Sequence, residues 1–278
     1  MGVSAWDFDG GLLTMLQPCG GHACSATAES LSVAVVIPSF RGARSIGAVL
    51  RRIGPLARRI YVVDDGCPDG TADVVLRDCR DPRVEVIRNP HNLGVGGAVK
   101  AGYRRALEDG ADIVVKLDAD GQMDPEDMPR LLAPILAGGA DYAKGNRFAA
   151  ARTAAPEAGR RALRTMPVRR RVANRMLSLA HRGVTGYWRI GDPANGYTAV
   201  RAETLRGLDL DGISDCFFFE TDMLFAIGRA GGRVADVPLP ARYSHEGTSS
   251  LSLRRIAPRF AGLLMQRAWQ RIAAGARG

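Results

Sequence analysis

Two aspartates separated by one alanine, Asp118-Ala119-Asp120, follow the apolar run Ile113–Leu117. Carboxylate oxygens suit hard cations such as Mg²⁺ or Mn²⁺. Such a cation neutralises the charge that builds on a phosphate-rich leaving group as its bond breaks. One aspartate of the pair can hold the metal while the other meets ribose or the metal. By itself the pair fits an ordinary surface turn equally well. More candidates stand apart in sequence: Ser39 behind Leu31–Pro38, Asp64-Asp65 behind Arg59, the glycine-rich run Asn92–Gly97, and Glu220-Thr221-Asp222 at the start of a helical stretch.

The elements that must position these residues follow from the apolar pattern. Leu31–Pro38, Arg59–Asp64, Val84–Arg88 and Ile113–Leu117 are short β-branched runs that read as strands buried on both faces. Helical stretches are expected over Ala43–Gly54, Thr71–Arg80 and from Asn92–Gly97 through Leu107. Strands alternating with helices predict a mostly parallel, Rossmann-like central sheet flanked by helices. The ligand crevice of such a sheet lies at the carboxyl ends of its strands, where Ser39, Asp64-Asp65 and Asp118–Asp120 all fall. Beyond Ala140 the pattern loosens. Short strands are expected at Asp141–Lys144, after the turn in Asp192–Val200, and at Arg233–Pro238. Helices are expected at Arg170–Arg182 and Phe217–Arg229, with an amphipathic one from Leu253 to Ala274 broken near Pro258.

The 278 residues allow one large α/β domain. No run of about 18 apolar residues suggests a transmembrane helix, and the first residues lack a secretory-signal pattern. Five scattered cysteines predict free thiols in a cytoplasmic protein. Cys19, His22 and Cys24 lie close together, but no second ligand pair matches them, so they read as a loop. The formal charge of +9 is regional: residues 147–175 hold nine arginines against Glu157, and residues 254–278 hold six arginines and no acid. A phosphate-bearing partner or an anionic membrane surface explains this charge, as does an arginine-rich surface with no partner. No nucleic-acid-binding module is visible.

The segments VVIPSF (Val35–Phe40), VVDDGCPDGT (Val62–Thr71), NPHNLGVGGAVKAGY (Asn89–Tyr103), KLDADGQMDPEDM (Lys116–Met128), GNRF (Gly145–Phe148), DPANGYTAVRAETL (Asp192–Leu205), FFFETDML (Phe217–Leu224) and VPLPARYSHEGTSSL (Val237–Leu251) stand in one order. Together they resemble the family-2 glycosyltransferases of GT-A fold, most closely the dolichyl- and polyprenyl-phosphate sugar synthases and their bacterial relatives. The resemblance implies a nucleotide-diphospho-sugar transferase domain over residues 32–253. An N-terminal extension (1–31) would precede it and a basic amphipathic tail (254–278) would follow.

The resemblance also implies roles. Pro38 and Ser39 would border the nucleobase, Asp65 would bond it, and Asn92 and Gly97 would line the same pocket. Asp118 would contact ribose or metal, Asp120 would be the main ligand of Mg²⁺ or Mn²⁺, and Gln122 would complete the shell. Arg147, Arg242 and Arg254 would pair with donor or acceptor phosphates, as guanidinium forks do. Asp222 is the candidate base for a hydroxyl acceptor, with helix capping as the other role open to it. One departure stands out: relatives carry Asn-Glu where Arg41-Gly42 follows Phe40 here. The implied reaction is metal-dependent, inverting transfer from a UDP- or GDP-sugar to a polyprenyl phosphate. The basic tail would touch the inner face of the membrane. The alternatives are a soluble hydroxyl acceptor and, in another class, a nucleotidyltransferase.

Overall fold

The computed structural model describes residues 31–150 and 190–241, with Arg182, Tyr187, Gly262 and Met265 as isolated positions. Residues 1–30, the expected helix before Arg182, Arg242, Arg254 and the expected tail helix lie outside the described residues. Among those described, no helix is long and apolar enough to cross a membrane.

Seven strands form one sheet in the order β3-β2-β1-β4-β6-β5-β7. They are β1 (Val33–Ser39), β2 (Ala57–Asp64), β3 (Val84–Arg88), β4 (Ile113–Lys116), β5 (Tyr142–Asn146), β6 (Thr198–Arg201) and β7 (Val234–Pro238). Neighbours pair in parallel except at β6, which runs antiparallel to both β4 and β5. The expected mostly parallel α/β sheet is therefore present. Only the reversal of β6 went unread.

The apolar runs are continuous because both faces of the sheet are covered. Val33, Val35 and Ile37 of β1 pack with Ile46 and Val49 of α1 (Ile46–Leu50) and Leu131 and Ile135 of α4 (Met128–Leu136). Ala34 and Val36 pack on the other face with Val99 and Tyr103 of α3 (Val95–Glu108) and Phe219 and Met223 of α7 (Phe219–Arg229). Between these lie α2 (Thr71–Asp78), α5 (Arg147–Ala150) and α6 (Ala202–Arg206).

Two helices differ from the sequence reading. α1 spans five residues, not the length of Ala43–Gly54. After it the backbone tightens, with Arg52 N and Ile53 N donating to Val49 O and Leu50 O, three residues back. α4 was not anticipated because Pro129 and Pro134 disguise it. Pro129 occupies its first turn, where no intrahelical N–H is required, and Pro134 falls near its end. A 3₁₀ turn at Pro125–Asp127 leads into α4, with Asp124 accepting from Glu126 N at 3.1 Å.

A polar row crosses this sheet. Lys116 pairs with Thr198, Thr198 with Lys144, and Lys144 with Asp236. Directly paired residues face the same side. Lys116, Thr198 and Lys144 are all buried.

Candidate active site

Strand ends and the loops after them shape a cleft of about 500 Å³, a size typical of small-molecule sites. Pro38, Ser39, Phe40, Arg41 and Gly42 enter from β1, Asp65 from β2, and Asn92 and Gly94 from the approach to α3. Lys116, Asp118 and Asp120 enter from β4, Ala194 and Gly196 from the approach to β6, and Phe217 and Glu220 from the start of α7. The segments expected to meet at one sheet edge do meet there.

Each predicted residue can now be placed. Ser39 closes β1, and its buried Oγ has no hydrogen-bond partner among the described residues. Gly42 must be small, since a Cβ there would lie 2.3 Å from Ser39 Oγ. Asp65 is buried and holds the wall of the cleft together. Its Oδ1 accepts from Asn89 Nδ2 at 2.8 Å and Leu93 N at 2.9 Å, and its Oδ2 accepts from Gly94 N at 2.9 Å. Asp64 is spent on the turn, accepting from Cys67 N at 2.7 Å and Ala72 N at 2.8 Å.

Asp118 and Asp120 share the far wall. Asp118 Oδ1 accepts from Lys116 Nζ at 2.7 Å, and Asp120 Oδ1 from Gln122 N at 2.9 Å. The Asp120 side chain opens to solvent, yet its surroundings desolvate it and the Asp118 charge repels a second one. Both effects push its carboxyl above the usual carboxylate range. A desolvated carboxyl beside a second acid fits a divalent cation. Mg²⁺ is typically held by one or two protein carboxylates, with phosphate and water supplying the other ligands. Among the described residues no third His, Cys, Asp or Glu joins them.

Lys116 was not singled out from sequence. Its ammonium sits 2.7 Å from Asp118 Oδ1 and 2.9 Å from Glu220 Oε1, fully buried. Burial alone would favour losing the proton, but Asp118 and Glu220 more than reverse this and hold it charged. Gly196 is packed against this pair, since a Cβ there would lie 2.5 Å from both Asp118 Oδ2 and Lys116 Nζ. A lysine interrupting a buried strand two residues before an aspartate was the available signal; nothing local pointed to Glu220 as its second partner.

Four predicted residues lie off the cleft lining. Gly97 packs on Leu93, and its N–H donates to Asp215 O at 3.1 Å. Gln122 faces a small neighbouring hollow with Arg147 and Asn195. Arg147 forks onto buried Asp192, with Nε at 2.6 Å and Nη2 at 2.9 Å from its oxygens. Asp222 is 1 % exposed, and its Oδ2 accepts from Ser214 N at 3.1 Å and from Ser214 Oγ.

Comparison with known proteins gives this geometry a context. The model of the family "Glycosyl transferase family 2" matches residues 34–205. An undecaprenyl-phosphate mannosyltransferase of Micrococcus luteus is 35% identical over 226 residues, covering 80% of this chain and 88% of that protein. A polyprenol monophosphomannose synthase of Mycolicibacterium smegmatis is 31% identical over 225 residues, covering 78% of this chain and 80% of that one. Among solved structures, glucosyl-3-phosphoglycerate synthase of Mycobacterium tuberculosis, crystallised with Mn²⁺, UDP and its product, superposes with a TM-score of 0.60. It is 18% identical, covering 90% of this chain and 86% of that one, and the likeness is one of fold.

Proposed function

The chain belongs to glycosyl transferase family 2 and is a glycosyltransferase, and from that premise we propose that it moves a sugar from a UDP- or GDP-sugar to a polyprenyl phosphate, with Mg²⁺ or Mn²⁺ and inversion at the anomeric carbon. The observation that carries this reading is the single cleft in which Ser39, Asp65, Asp118 and Asp120 meet. Ser39 and Asp65 stand at the nucleobase end, where Ser39 Oγ is free to bond. Asp118 and Asp120 stand at the diphosphate end, and a cation bound there would neutralise the departing diphosphate. Lys116 holds Asp118 in place and joins it to Glu220 on the opposite wall.

What the described residues offer supports this acceptor. A hydroxyl acceptor needs a base, and Asp222 is buried against Ser214 away from the cleft lining. A phosphate oxygen is already ionised near neutral pH and attacks without one. The two relatives named for undecaprenyl phosphate and polyprenol support the same acceptor. The arginines of residues 152–175 and 254–278, Arg254 among them, together with Arg242, would give a phosphate-bearing lipid and its membrane surface a cationic reception. Domain limits of 32–253, with an extension before and a tail after, are part of this proposal.

The test is a turnover screen of UDP- and GDP-sugars with Mn²⁺ or Mg²⁺, run with and without a short polyprenyl phosphate. We expect one donor to be consumed much faster when the lipid phosphate is present, and a chelator to stop it. Consumption indifferent to the lipid, or to the chelator, overturns the acceptor or the metal assignment respectively.

A further inference from the structure

Arg41 is the one non-glycine residue among those described with a positive φ, at 61°. A side chain with a Cβ is disfavoured there, and such conformations persist where the surroundings hold them, often at ligand sites. Arg41 lies in the turn after β1 and lines the cleft beside Phe40, Ser39 and Asp65. Its guanidinium stands 5.4 Å from the centroid of the Phe40 ring, which is 48% exposed. Among the described residues, no carboxylate is paired with it.

The acids around it are already engaged. Asp65 accepts three protein hydrogen bonds, and Asp69 accepts from Ala43 N at 3.0 Å and Thr71 Oγ1 at 2.6 Å. This end of the cleft therefore offers an open fork of donors beside an exposed aromatic face. A guanidinium has five N–H donors and no acceptor. On a nucleobase it finds its match in a carbonyl oxygen, as at guanine O6 and N7. An amino group in that position turns donor against donor and leaves both unpaired.

We propose that Arg41, stacked on Phe40, reads the donor's nucleobase through its carbonyl oxygen and so selects a keto base over its amino counterpart. This rests on the transferase reading above. The base would lie against the Phe40 ring, with the Arg41 guanidinium at its edge.

Titration calorimetry with UDP, CDP, GDP and ADP at fixed Mn²⁺ tests this in the full chain and in Arg41→Gly. Glycine adopts a φ of 61° without strain, so the variant should fold. The wild-type protein should bind UDP over CDP, or GDP over ADP, by roughly tenfold. In Arg41→Gly that preference should shrink to about twofold or less. Equal weakening of all four nucleotides in the variant would place Arg41 on the diphosphate and overturn the proposal. So would a wild-type protein with no keto preference. A wild-type protein that binds none of the four removes the transferase reading itself, an outcome distinct from a variant that keeps its preference.

Discussion

On the β4 side of the cleft, Asp118 and Asp120 face one another with a lysine and a backbone N–H for company. Three other buried or half-buried acids among the described residues are held by the protein. Asp192 is gripped by Arg147, Asp236 accepts from Asn146 Nδ2 and from Gly191 N at 3.4 Å, and Asp222 accepts from Ser214. In the first set, desolvation and the neighbouring Asp118 charge raise the Asp120 carboxyl. In the second, Asp192 is matched by a cation, while Asp236 and Asp222 accept from neutral donors. The contrast separates acids that line the cleft from acids that lie off it.

The sharpest way to break this comparison is Asp120→Ala. If the β4 acids are the ligand-facing ones, metal-dependent donor turnover should fall at least about a hundredfold, given the several kcal/mol a metal contributes to a developing phosphate charge, while the denaturation midpoint barely moves. A variant with full turnover would put the metal elsewhere. Arg147→Ala should do the reverse. Removing one partner from a buried ion pair leaves Asp192 uncompensated, and urea denaturation should show a loss of about 3 kcal/mol. A stable variant with weakened phosphate binding would instead move Arg147 to the ligand-facing set.

A smaller effect comes from Lys144, whose ammonium donates to Asn195 O deep in the β5–β7 half. Burial lowers its pKa to about 8, against partial opposition from Glu220 and Asp192. From there up to its ordinary value near 10.5, the unfolded chain binds a proton that the folded one has released. This group's contribution to stability therefore rises with pH across that window, by at most on the order of 1 kcal/mol per pH unit. Urea midpoints at pH 8 and pH 9.5 should show the rise in the wild-type protein and a flatter profile in Lys144→Met. Parallel profiles would mean that Lys144 keeps its proton.

The same two halves differ in how far the sequence discloses them. β1 to β4 are short apolar runs with the candidate residues directly behind them, so Ser39, Asp65, Asp118 and Asp120 were placed from local pattern, and the cleft unites them. The other half depends on partners far apart in the chain. The direction of β6 is set by pairing with β4 and β5, which no local periodicity encodes. The Lys116–Glu220 bridge joins a strand to the start of a distant helix, and Arg147 resembles a phosphate ligand until Asp192 is found beside it. α4 was hidden for a local reason, its two prolines.

The reversal of β6 also has a meaning for how such a molecule can diversify. β5 leaves the sheet at its cleft edge after Asn146, and β6 re-enters from that same edge at Thr198. The long arginine-bearing stretch between them thus begins and ends beside the cleft, with both ends tethered to neighbouring strands. Its last residues, Asp192, Asn195 and Gly196, are tied to Arg147, Lys144 and Lys116. Variation confined to the stretch before Asp192 would leave those ties, and the strands they brace, in place.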